Sequence, residues 1–250
     1  MPNYNKITQV KSKRADSNVR YFFDESGKYS HFSTGKYYFE EYSSIDSLVV
    51  DYLNFNVTRI SFKFNPNNII IYFHDNDMEY IEQKKVLNFN SEKIIKTVET
   101  YGRISKNDNF VGGITRVLNH DNNGNLIDIK HFEDTGEFYP DFILEHIADT
   151  SNFTFFEHNF PNLAISRMAI NTISSELFII LYNKGYRFSK KGVKSYDEYY
   201  PKINSKYSGR FELQYMYPTE VNYIEYNFNH ENQTEWHDDM FDTFIEFEAL

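Results

Sequence analysis

The tightest constraint on this chain is the brevity of its apolar runs and the way they alternate. "RFELQYMY" (Arg210 to Tyr217) and "EVNYIEYNFN" (Glu220 to Asn229) alternate with a period of two on either side of Pro218. That is the pattern of strands with one face buried. "RISFKF" and "NIIIYF" meet at Asn65-Pro66-Asn67-Asn68, and "GITRVL" and "LIDIKHF" flank "NHDNNGN", so each pair reads as a hairpin. Near the start, "RYFF", "KYSHF" and "KYYFEEY" are separated by "DESG" and "STG". This is meander spacing, with Gly27 and Gly35 suited to the turns.

Helical spacing interrupts the strands. "SSIDSLVVDYLNF" places Ile45, Leu48, Val49 and Leu53 on one side, and "SEKIIKTVETYGRI" does the same with Ile94, Ile95 and Val98. "LAISRMAINTISSELFIILYNKG" (Leu163 to Gly185) reads as a long core helix ending at glycine. The expected fold is therefore α+β, with antiparallel sheets built from short aromatic-rich hairpins and three to four packed helices. Residues 1–17 read as an exposed basic arm carrying Lys6, Lys11, Lys13 and Arg14. Residues 18–250 read as one globular unit, or as two similar lobes at about 18–106 and 110–250. The lobes are suggested by an echo between Asp24–Tyr42 and Asp121–Phe142, each with D-x-x-G, His-Phe and Thr-Gly; His31 and His131 fall at matching places.

Composition excludes some classes. With no cysteine there is no disulfide framework and no thiolate chemistry. No apolar run approaches the length of a membrane helix, and the first residues lack the apolar block of a signal peptide, so a soluble, cytoplasmic protein with no membrane partner is expected. The aromatic fraction of 18% accompanies abundant Asn, Ile and Lys and matches the codon bias of an AT-rich genome.

Charge is unevenly placed. The net charge is −10, and the segment after Arg210 holds ten acids and no lysine or arginine. Just before it, Lys184 to Arg210 contains eight bases against Asp197 and Glu198. Taken as a helix from near Thr234, the closing segment puts Trp236, Met240, Phe241 and Phe244 on one half and its acids on the other, while its partly alternating end "FIEFEAL" alternatively reads as an edge strand. Such a strip repels nucleic acid and attracts cations. Glu235, Trp236, Asp238, Asp239, Asp242 and Glu246 are thus the candidate partner-binding residues. The expected function is non-enzymatic capture of a basic protein, most concretely by an immunity or antitoxin-type inhibitor of a toxin. One alternative is a structural component of a phage or surface assembly that binds copies of itself.

A second alternative is a metal-dependent enzyme. "FHDNDMEY" places His74, Asp75, Asp77 and Glu79 at a strand end, where a scaffold can present acid–base or metal-ligating groups. An ordinary polar turn has the same composition, and no second ligand segment is evident. "NHDNNGNL" imitates a calcium loop, but Lys130 stands where a bidentate carboxylate belongs, so it reads as a turn. No G-x-S-x-G, phosphate-cradling glycine loop or H-E-x-x-H occurs, and no cofactor or metal is expected.

Overall fold

The structure, a computed structural model, describes residues 7–12, 19–23, 29–34, 38–41, 47–52, 55–74, 80–103, 105–134, 144–157, 165, 169, 181, 182, 184–217, 220–237 and 243–247. Side chains are described from residue 61 onward within these, except at 134, 144, 215–217, 220, 223 and 243–247.

Seventeen strands occur among these residues. The first five are β1 (Ile7–Ser12), β2 (Val19–Phe23), β3 (Tyr29–Thr34), β4 (Tyr38–Glu41) and β5 (Ser47–Tyr52). The next six are β6 (Phe55–Phe64), β7 (Asn68–His74), β8 (Ile81–Phe89), β9 (Ile95–Gly102), β10 (Val111–His120) and β11 (Leu126–Asp134). Then follow β12 (Leu144–Phe155), β13 (Val193–Tyr200), β14 (Ser205–Tyr217), β15 (Glu220–Asn229), β16 (Thr234–His237) and β17 (Thr243–Phe247). From β5 to β15 every strand pairs antiparallel with the next in sequence. β17 then pairs β15, and β1 pairs β17, so the earliest and latest strands lie side by side. β16 folds back on β15, and β2, β3 and β4 form a separate three-stranded meander.

The α+β expectation is corrected: the described chain is antiparallel sheet almost throughout. The stretch expected as a helix from Ser91 forms a turn and then β9, and the one around Leu48 forms β5. Both are dense in Val, Ile and Thr, whose branched Cβ atoms suit the pleated surface better than a helix. The described part of the closing segment forms β16 and β17 and no helix, with β17 falling where the alternative reading put a strand. Helical backbone occurs among the described residues at Ile165, Ala169, Leu181 and Tyr182, all of them buried. Residues 7–12, within the stretch expected to be an arm, are the strand β1.

Alternation sorts the strands into two faces. Phe62, Ile69, Ile71, Leu87, Val98, Leu118 and Ile129 face inward and are at most 6% exposed. They join Phe211 and Val221, together with the four helical residues, in a single apolar cluster. Flat, β6 and β15 would lie about 43 Å apart, at ~4.8 Å for each of nine steps along the sheet. The four described helical residues cannot cover such a span. The sheet therefore curls around its core as a barrel. Each fully buried Ile or Leu contributes roughly 1.5–3 kcal/mol.

One end of the barrel, the lower end, carries the tight turns at 65–68, 90–94 and 121–125. Asn90 Oδ1 accepts from the Glu92 and Ile94 amides, and Asp121 Oδ1 accepts from those of Asn123 and Asn125. Residues 186–192 are stitched across these turns. Ile95 N donates to Arg187 O, Arg187 N to Lys93 O, Lys190 N to Gly124 O, and Phe156 N to Gly192 O. Tyr186 packs its ring against Phe64 and Phe89, which plugs this end with aromatic carbon.

Candidate functional site

The interior changes character along its length. On each of four consecutive strands, a polar side chain sits one inward step above an apolar one: Lys85 above Leu87, Thr100 above Val98, Arg116 above Leu118, His131 above Ile129. Register makes these groups neighbours. Lys85 lies opposite Thr100, Arg116 opposite His131, and Thr150 opposite Glu198. Tyr200 lies opposite Ser205, which extends the band onto β14. Sequence reasoning named His131 only for its echo with His31 and Glu198 only in the charge count, and it named none of the other band residues. The only signal was a lysine, an arginine and a histidine at the inward parity of otherwise apolar strands.

Electrostatics in the band follow from burial. Lys85 is 2% exposed; desolvation, aided by the Arg116 cation, lowers its ammonium to about 8. Its Nζ lies 5.4 Å from the centre of the Phe73 ring. The His131 imidazole is pushed down to about 4, first by burial and then by Arg116, and is neutral at pH 7. Its Nε2 lies 3.0 Å from Thr150 Oγ1. Burial raises the Glu198 carboxyl, against the pull of a Tyr200 hydrogen bond and the Arg116 charge. The Tyr200 phenol is pushed up to about 12, by burial first and then by Glu198.

Arg116 is the anomaly. It is 7% exposed, yet its Nε and Nη1 have no hydrogen-bond partner. Thr100 Oγ1 and Ser205 Oγ are likewise buried without partners. Buried donors in native proteins are almost always matched, and a charged one left unmatched is costly. This band is the candidate site.

The residues singled out from sequence lie elsewhere. His74 ends β7 on the outer face, with Nε2 3.0 Å from Ser61 Oγ, while Asp75, Asp77 and Glu79 lie outside the described residues. Among the described residues no group of three or more His, Asp or Glu side chains is placed to hold a metal ion. Of the closing acids, Glu235 pairs with Arg210 at 3.1 Å and Trp236 is 42% exposed. Glu246 lies in β17 opposite Gln9 and Glu220, and Asp238, Asp239 and Asp242 fall outside the described residues. The basic stretch is paired with acids of several elements: Lys190 with Glu92, Lys202 with Glu145, and Lys206 with Asp197. His31 lies in the small meander and His131 in the barrel, so the echo does not bring them into one sheet.

A serine–histidine pair on the outer face is not a nucleophile. Ser208 Oγ donates to Asp197 Oδ1 at 2.6 Å and lies 2.7 Å from His230 Nε2. With its one proton given to the carboxylate, the serine accepts from His230, the reverse of base activation.

The fold and site together define an antiparallel β-barrel with a plugged lower end and a buried polar band. Among solved structures, the chain is similar to a porin-like protein from Bacteroides vulgatus, at 11% identity and a TM-score of 0.56, over 98% of this chain and 100% of that one. A porin-like protein from Bacteroides uniformis aligns over 99% of this chain and 98% of that one, at 10% identity and a TM-score of 0.43, too low to carry an argument. No protein-family model matches the chain, and no curated protein matches its sequence. The likeness is one of fold alone. It overturns the α+β expectation and, with it, the immunity or antitoxin reading, which rested on acidity and the lack of cysteine and not on a motif.

Proposed function

We propose that this chain is a water-exposed binding barrel that holds a small ligand in the polar band of its interior, and that it is not a conducting pore. The observation that carries this reading is the radial order of polarity. A barrel in a bilayer shows lipid an apolar outer band and keeps its polar groups inside. Here the outward positions include Lys63, Lys84, Glu99, Lys130, Asp197 and Arg210, one on each of six strands. A charge facing hydrocarbon near the midplane of such a barrel costs roughly 2–4 kcal/mol. The inward positions below the band are occupied by the apolar cluster. No helix among the described residues is long and apolar enough to cross a membrane, which says nothing of strands.

The test is planar-bilayer recording on the full chain purified without detergent. Monodisperse protein that produces no conductance steps supports the reading. Discrete conductance steps, or a requirement for detergent to stay in solution, overturn it.

A further inference from the structure

The lumenal binding role proposed above leaves the chemistry of the ligand open, and Arg116 narrows it. A guanidinium is a planar fork of five donors that matches the paired oxygens of a carboxylate. Nε and Nη1 lie on different edges of that fork, so each edge carries a donor with no acceptor. Thr100 occupies the adjacent inward position on β9, diagonal to Arg116, and its unpartnered hydroxyl supplies another donor. Lys85, opposite Thr100, adds a second cation. The other titratable groups facing this point are Glu198, whose charge acts on Arg116, neutral His131, and Tyr200. Glu225 faces the interior from β15, opposite Phe211. With the Glu198 carboxylate already acting on Arg116, the site suits an ion of one negative charge better than a dianion.

We propose that the band binds one small organic monocarboxylate, held by the Arg116 guanidinium and the Thr100 hydroxyl. This rests on the binding-barrel reading and adds to it the ligand class.

The experiment is isothermal titration calorimetry with thermal unfolding on the full chain, using benzoate, acetate, benzamide and inorganic phosphate as probes. Benzoate or acetate should bind one-to-one and raise the unfolding temperature, while benzamide at the same concentration does neither. Arg116→Met should weaken carboxylate binding ~10-fold or more, and Thr100→Val about 5-fold. Arg116→Met takes away the cation that faces Glu198, so a cooperative unfolding transition without carboxylate is the control for its folding, and Thr100→Val, which leaves every charge in place, keeps the test open if Arg116→Met does not fold. Equal responses to benzamide and benzoate would overturn the proposal. So would tighter binding of phosphate, unchanged affinity in Arg116→Met, or silence to both carboxylates at tens of millimolar. A detergent-free, non-conducting protein that ignores carboxylates defeats this inference alone, whereas conductance steps defeat the binding-barrel reading beneath it.

Discussion

Gly209 lacks a side chain because Tyr196 fills the space where one would go. A Cβ there would stand 2.3 Å from Tyr196 Cε1, and the ring is itself buried between Phe153 and Phe211. Close approach of an aromatic ring to a strand glycine is a packing device of curved sheets. Gly209→Ala should therefore cost about 3 kcal/mol by urea denaturation, through displacement of a ring with nowhere to go. His131 yields a pH dependence whose sign is fixed. Its folded value, about 4, lies below the unfolded 6.5, so the unfolded state binds the proton more readily in between. Stability is thus intact above pH 6.5 and declines as pH falls toward 4, by roughly 3 kcal/mol from this one group. Stability curves of the parent and His131→Asn should converge on that acid limb; parallel curves from pH 7 to 4 would show that the imidazole is not buried and neutral.

At the level of single elements, hairpins were legible, whereas the helical spacing around Leu48 and Ile94 was not a guide to helices. β6–β7, β10–β11 and β14–β15 follow from alternating apolar residues bracketed by Asn, Asp, Gly or Pro, signals that are local and complete within about twenty residues. The segment at β9 misled because Ile94, Ile95 and Val98 satisfy helical spacing, while the register shift opposite Asn88 and Phe89 leaves Lys96 as an extra residue in β9 and breaks the two-residue alternation that would have marked a strand. Only pairing with β8 and β10 decides between them, and pairing is non-local. The turn before β9 is locally determined: Asn90 closes it with two side-chain hydrogen bonds, and Lys93 adopts a left-handed φ of 58°. Asn90→Ala removes both acceptor contacts and should lower stability by about 1 kcal/mol, read as a shift in the urea midpoint at constant slope.

For the molecule as a whole, composition gave little guidance. A net charge of −10 with no cysteine fits an acidic capture protein and a charged-surface barrel equally well, since charge counts say nothing of which face the charges occupy. The polar band was illegible for a related reason. Lys85, Thr100, Arg116 and His131 are spread over four strands, and only the register of a curled sheet makes them neighbours. The function then turns on which face meets water. Because the chain has no cysteine of its own, single cysteines can report that face directly. The decisive measurement is the rate of labelling by a charged, water-soluble maleimide in detergent-free buffer. It compares Lys63→Cys, Lys84→Cys, Lys130→Cys and Arg210→Cys with Leu87→Cys and Ile129→Cys. Fast labelling at the four outward positions and slow labelling at the two inward ones is the expected result. Labelling that is slow outside and fast inside, as in a lipid-embedded, water-filled pore, would contradict it.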